Sequence, residues 1–267
     1  MGMKAVLLGS GNVAWHIAPA LRPAGLEWVQ VYSRTLTHAE SLSRRLGGVP
    51  FTDRPEAIDR TADFYLLAVN DQAVAELANI LRLPGKTVAH VAGSVPVSAL
   101  QAVSEHSGVL YFFQTFSKEA PAPDLRQTPV CLEASDPVTA AVLEKLARSV
   151  SEKICFLNSQ QRQTLHIGGV FVNNYVNLMY TAAFELFGEK GMDFSLLHPL
   201  MEQTLRKALR MPPAQAQTGP AARGDEKVLQ EHLRYLSESR QGKKYLEVYR
   251  LLMQAIQKEN NRNHGEL

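Results

Sequence analysis

The chain has 267 residues, 45% of them hydrophobic and 20% charged, enough for one large or two ordinary cores. Its 28 basic and 26 acidic side chains leave a formal net charge of +2, so it carries no electrostatic footprint for nucleic acid or for an anionic membrane surface. The two cysteines, Cys131 and Cys155, lie far apart in apolar segments with no CxxC or Cys/His cluster around them, and read as core residues of a protein from a reducing, cytoplasmic compartment.

The first stretch, MKAVLLGSGNVAWHIAPAL from Met3 to Leu21, passes from an apolar run through a Gly-Ser-Gly turn into a helical pattern. The apolar run is broken at once by Gly9, Ser10, Gly11 and Asn12, which argues against a signal peptide. Short β-type runs then recur at Ala5–Leu8, Trp28–Tyr32, Phe64–Val69, Thr87–Val91, Val109–Phe113 and Pro129–Glu133. Between them apolar residues fall at helical spacing, as in Val74, Leu77 and Leu81, or Val138, Val142 and Leu146. Alternation of this kind predicts an α/β fold with a doubly wound, mostly parallel sheet.

After Asn158 the strand signal stops. One long helix is predicted from an N-cap at Ser159 to just before Gly191, followed by helices over Phe194–Leu209, Glu226–Leu236 and Lys243–Gln257. Pro199 belongs near a helix start or at a kink. A turn-rich connection, MPPAQAQTGPAARGD, separates two of these helices. Thr164–Phe184 contains no Asp, Glu, Lys or Arg, but His166, three asparagines and a Gly-Gly pair make it too polar for a membrane span, so a helix buried in protein is expected. The organisation reads as a Rossmann-type α/β domain over residues 1–157 and an all-α domain over 158–267.

Gly9-Ser10-Gly11-Asn12-Val13-Ala14 matches G-x-G-x-x-A directly after a strand and at the start of a helix. Gly9 permits the tight turn, Gly11 lets the backbone approach a pyrophosphate, and Ala14 lets helix and strand pack closely. Free N–H groups at the helix start would face the phosphates. The end of the second strand selects the dinucleotide: VYSRT offers Ser33, Arg34 and Thr35 where an NAD site usually has a carboxylate for the ribose 2′-OH. A guanidinium and two hydroxyls suit a 2′-phosphate, so the expected cofactor is NADP(H). Two further strand ends should face it, with Val69, Asn70 and Asp71 in one and Gly93 and Ser94 in the other; Asn70 and Asp71 read equally as a turn and helix cap.

On these stretches, together with FFQTFSK, LHIGGVFVNNYVNLMY and QTGPAARGD, the chain resembles a family of NADP oxidoreductases that join a Rossmann domain to a C-terminal domain of unknown function. That family is related to 6-phosphogluconate dehydrogenase-like, ketopantoate reductase-like and pyrroline-5-carboxylate reductase-like proteins. The resemblance implies a helical domain that supplies a substrate pocket and a homodimer interface, but no particular substrate. One departure matters. Many relatives carry a lysine one helical turn before an asparagine, and counting back from Asn173 and Asn174 reaches Val170 instead.

At helical spacing, His166, Val170, Asn173 or Asn174, and Asn177 share one face of the long helix. Polar groups on an apolar helix must be hydrogen-bonded to protein, water or ligand. Gly168 and Gly169 suggest close approach of another element or of a cofactor ring. His166 is the candidate proton donor, because histidine titrates around neutrality. Asn173 and Asn174 are candidates for polarising the acceptor, and Arg223 for holding a substrate carboxylate in a fork. Gln114, Thr115, Gln217 and Thr218 are further candidates for the cleft, and Asp225 reads as a helix cap. The remaining histidines show no metal spacing, so no metal is expected. The activity these readings predict is hydride transfer between NADP(H) and a carbonyl or imine carbon of a small, carboxylated metabolite. The alternative is a nucleotide-binding regulator or sensor that performs no chemistry.

Overall fold

The computed structural model describes residues 2–265. It divides into two compact units, Met1–Val172 and Asn173–Leu267. Residue 1 and residues 266–267, the outer ends of the two domains expected from sequence, lie outside the described residues.

The first unit is built on β1 (Met3–Leu8), β2 (Leu26–Tyr32), β3 (Phe51–Thr52), β4 (Phe64–Leu67), β5 (Thr87–His90), β6 (Ser107–Phe112), β7 (Val130–Ala134) and β8 (Ile154–Phe156). They form one sheet in the order β3-β2-β1-β4-β5-β6-β7-β8. Strands β1 to β6 run parallel; β7 turns antiparallel to β6, and β8 is parallel to β7. An antiparallel partner needs no crossover helix, and the chain between β6 and β7 holds only the one-turn helix Leu125–Gln127.

Central strands buried on both faces read as continuous apolar runs. Ala5 and Leu7 of β1 pack in one core with helices α1 (Asn12–Ala20), α2 (Leu36–Arg45) and α4 (Pro137–Arg148). Val6 and Leu8 face the opposite core, shared with α3 (Asp71–Ile80). The same alternation puts Leu110 and Phe112 of β6 in the first core and turns Tyr111 the other way. In the register, Tyr111 stands opposite Cys131, and Cys131 opposite Cys155. The two free thiols, distant in sequence, are 3.1 Å apart, with Cys131 buried and Cys155 half-buried.

The long helix differs from its expectation in three ways. Its N-cap is Asn158, not Ser159: the Asn158 side chain accepts from the Gln161 N–H at 2.9 Å, and the Gln161 side chain accepts from the Asn158 N–H at 3.0 Å. Helix α5 (Ser159–Gly169) gives way to a π-helical stretch, Val170–Tyr175, before α6 (Val176–Glu189). The wider turn breaks the 3.6-residue spacing that aligned His166 with the asparagines. Finally, the segment expected to be buried exposes Ile167, Val172, Leu178 and Phe184.

The break between the units falls at 172/173 rather than 157/158 because the first turns of α5 are tied to the sheet. The Arg162 guanidinium, almost wholly buried, pairs with Glu133 of β7 and donates to the Val95 carbonyl. In the second unit, α6 is followed by α7 (His198–Arg210), with Pro199 in its first turn. The turn-rich connection folds into two one-turn helices, α8 (Pro213–Ala216) and α9 (Pro220–Arg223), ahead of α10 (Glu226–Glu238) and α11 (Gly242–Gly265). No described helix is long and apolar enough to cross a membrane.

Candidate active site

The chain order reverses between β1 and β4, the point where ligands bind in open α/β sheets. There the C-terminal ends of β1, β2 and β4 enclose a cleft of about 580 Å³. Of the residues predicted to face the dinucleotide, Gly9 to Val13, Ser33 to Thr35, Val69 and Asn70 line it, whereas Asp71, Gly93 and Ser94 do not.

Gly9 has φ +118, and a Cβ there would lie 2.1 Å from the Ala68 carbonyl oxygen. Only glycine lets β1 turn this tightly beside β4. A Cβ on Gly11 would meet nothing of the protein within 4 Å, so the space over its backbone is free for a ligand. The Ser10 hydroxyl donates to the Ser33 hydroxyl at 2.7 Å, tying the loop to the end of β2. Gly11 caps α1 without a side-chain bond, leaving the first-turn N–H groups directed at the cleft. Thr35 caps α2 in the same way, also without a side-chain bond, beside the exposed Arg34. The cleft therefore has two helix starts without side-chain caps, those of α1 and α2.

Asn70 is a helix cap that also borders the cleft. Its side chain accepts from the Ala73 N–H at 2.8 Å and caps α3, while the residue lines the cleft. Ser94 instead donates to Asp71. The sequence missed the α3 wall, where Ala73, Glu76, Leu77 and Ile80 recur at helical spacing. The half-exposed Ile80 was the available signal, since an apolar residue off the core face of a helix needs another partner. Glu76 places a carboxylate 3.6 Å from the Arg34 guanidinium.

Further along the same sheet edge, past β5, lies a second cluster. A Cβ on Gly93 would come 2.6 Å from His166 Nδ1 and 2.9 Å from Tyr111 Cζ, so both rings pack flush on the glycine backbone. The Tyr111 hydroxyl is 3.1 Å from His166 Nδ1. Burial pushes the Tyr111 phenol up to about 12, with Cys131 adding to the shift, so it stays protonated. His90, at the end of β5, is fully buried; desolvation above all, helped by the Arg162 charge, lowers it to about 4 and keeps it neutral. Of the glycine pair on α5, Gly169 is explained by packing, since its Cβ would strike the Phe113 ring at 2.7 Å, whereas Gly168 faces open space. Asn173 and Asn174 are exposed in the π-helical stretch, and the exposed Arg223 ends α9. Asp225 stands at the cap position of α10 without a side-chain cap bond. Among the described residues no cluster of three or more His, Cys, Asp or Glu could hold a metal ion.

A family model described as "NADP oxidoreductase coenzyme F420-dependent" matches residues 4–93, and one described as "Domain of unknown function (DUF2520)" matches residues 128–256. A Bacteroides fragilis protein with the provisional name NADP oxidoreductase is 35% identical over 96% of this chain and 98% of its own, with a TM-score of 0.87. The chain belongs to this family of NADP oxidoreductases. The oxidoreductase shares its fold with a Thermotoga maritima protein at 19% identity, covering 97% of this chain and 99% of that one with a TM-score of 0.68. An imine reductase from Myxococcus stipitatus, solved with NADP⁺, has the same fold at 14% identity, covering 98% and 96% with a TM-score of 0.66. Curated protein sequences give no match. The oxidoreductase's cofactor is NADP(H), and its residues fit that group: open space over Gly11, starts of α1 and α2 without side-chain caps, and the exposed guanidinium of Arg34, which faces Glu76 across the cleft.

Proposed function

We propose that this oxidoreductase moves a hydride between NADP(H) and a carbonyl or imine carbon of a small, carboxylated metabolite, with His166 exchanging the proton. The observation that carries the reading is the placement of His166 and Tyr111 against Gly93, on the same sheet edge as the dinucleotide cleft and beyond β5. The imine reductase of the same fold supports an imine beside a carbonyl as acceptor.

When bound, NADPH supplies the hydride and its two electrons. The chain's part is to hold the phosphates at α1 and α2 and to provide the balancing proton. Protonated His166 would give a proton to the oxygen or nitrogen next to the reduced carbon and become neutral. Polarisation by Asn173 and Asn174 and capture of a carboxylate by Arg223 rest on residue type and sequence pattern.

Two measurements test this. Arg34→Ala should weaken NADPH binding by about 1.5–3 kcal/mol, the range for charge-assisted hydrogen bonds, with little change for NADH; equal losses for both would remove Arg34 from phosphate selection. His166→Ala should lower turnover of NADPH with a panel of 2-oxo acids and cyclic imines by about 10²–10⁴-fold, while NADPH affinity stays within about twofold. A regulator without chemistry would bind NADPH and consume none with any acceptor.

The second unit supports a homodimer. Its α7 carries Leu205 and Leu209 one turn apart, 60% and 78% exposed, and α6 adds Leu178 and Phe184. Exposed apolar side chains in this number, on two helices of the unit, support an association face. Light scattering should return twice the 29.5 kDa chain mass, and Leu205→Glu should lower it towards one chain.

A further inference from the structure

The sheet brings into contact two cysteines that stand 24 positions apart in the chain. Cys131 lies in β7 and Cys155 directly opposite it in the parallel β8, so both side chains leave the same face. Their Sγ atoms are 3.1 Å apart, and both thiols are free. Tyr111 of β6 completes the row, and Glu133 stands two residues further along β7. This is the face that α5 covers, with Arg162 on Glu133 and His166 on Tyr111.

We propose that Cys131 and Cys155 form a reversible dithiol–disulfide site, closed by a low-molecular-weight disulfide, that fastens the edge strand β8 to β7. The site stands whether or not the chain transfers hydride. Neighbouring strands run about 4.8 Å apart, and that spacing falls inside the Cα separation of about 4.4–6.8 Å that a disulfide spans. Strand β8 has three residues and a single neighbour, so it shifts towards β7 without disturbing another strand.

The two thiols differ in access. Cys131 is fully buried, whereas Cys155 is half-buried. Burial above all keeps Cys131 a thiol, and the bond from Cys155 adds to the effect. A solute therefore meets Cys155 first, and Cys131 resolves the intermediate. As a thiolate, Cys155 attacks one sulfur of the small disulfide RSSR, forming Cys155–S–SR and releasing RS⁻. Cys131 passes its proton to that RS⁻ and attacks Cys155 Sγ. The Cys131–Cys155 bond forms as the second RS⁻ leaves, to take up the proton that Cys155 gave to solvent. The protein loses two electrons and two protons, and RSSR becomes two RSH. Excess RSH reverses both steps. Once closed, the bond ties the strand that leads into α5 to the strand that carries Glu133, beside the existing Arg162–Glu133 pair.

The probe is oxidised glutathione on native, full-length protein, followed by alkylation of the remaining thiols. The parent should gain no alkyl group, weigh two hydrogens less than the reduced chain, and yield a linked 131–155 peptide on digestion. Cys131→Ser should stop at the mixed disulfide, with one glutathione on Cys155, and Cys155→Ser should stay unmodified. The oxidised parent should unfold about 5–10 °C above the reduced one. Its NADPH affinity should stay within about twofold, since neither cysteine lines the dinucleotide cleft. A parent that retains glutathione on Cys155, or keeps both thiols open to alkylation, would overturn the site, and neither result depends on a variant folding. A closed disulfide with no rise in the unfolding temperature would overturn the fastening of β8.

Discussion

Alanine at position 9 is expected to be among the most damaging single substitutions in the first unit. The Gly9 backbone sits at φ +118, where side chains cost about 1–3 kcal/mol in strain. The new methyl would also lie 2.1 Å from the Ala68 carbonyl oxygen and 2.6 Å from its carbon, backbone atoms that cannot swing aside. Separating β1 from the end of β4 adds an overpacking cost of about 1–3 kcal/mol. Denaturant unfolding should show the combined loss, and NADPH binding should fall with it because the loop and the α1 start move together. Gly11→Ala is the matching control. Its methyl meets no protein atom within 4 Å, so stability should hold while NADPH affinity drops. If Gly9→Ala is as stable as the parent, the tight turn between β1 and α1 is not the reason for glycine at this position.

Much of this site was legible because its determinants are local. The turn after β1, the small residue at Ala14 and the absence of a carboxylate after β2 lie within single short stretches. The six central strands were legible as apolar runs buried on both faces. Strands β3 and β8 were not, since two or three residues hold no period of their own and exist by pairing with a neighbour. The reversal of β7 was hidden for the same reason, as strand direction is a property of the partner. The Asn158 cap was available to a closer reading, because Asn-x-x-Gln is a capping pattern and the adjacent Ser159 drew attention from it.

The chemistry at His166 was half legible. Its position in an apolar helix marked it, but the helical spacing to Asn173 and Asn177 assumed an unbroken α-helix, and the π-helical stretch at Val170–Tyr175 changes that spacing. Its partner Tyr111 lies 55 residues earlier on a strand, with no motif around it. The link could be found only once β6 and α5 were placed on the same face of the sheet. Gly93 was expected to face the dinucleotide, and the space a side chain would take there is filled by His166 and Tyr111.

Glu133→Gln should be as costly as the change at Gly9, for a different reason. Arg162 is 1% exposed, and its charge is balanced by Glu133, which also accepts from the Ser159 hydroxyl and N–H. Arg162 Nε has no hydrogen-bond partner among the described residues, so the guanidinium depends on Glu133, the Val95 carbonyl and a longer bond to the Ser159 hydroxyl. Removing one member of a buried pair strands the other charge and costs about 3–5 kcal/mol. Replacing both, as in Arg162→Met with Glu133→Leu, should cost less than either single change, because no buried charge is left behind. A double-mutant cycle by urea unfolding measures the difference; additive losses below about 1 kcal/mol would mean the pair does not hold α5. The functional reading follows from helix geometry. Arg162 stands four residues before His166, so whatever loosens the first turn of α5 also loosens the ring bonded to Tyr111, and turnover should fall in the single variants beyond what lost stability explains.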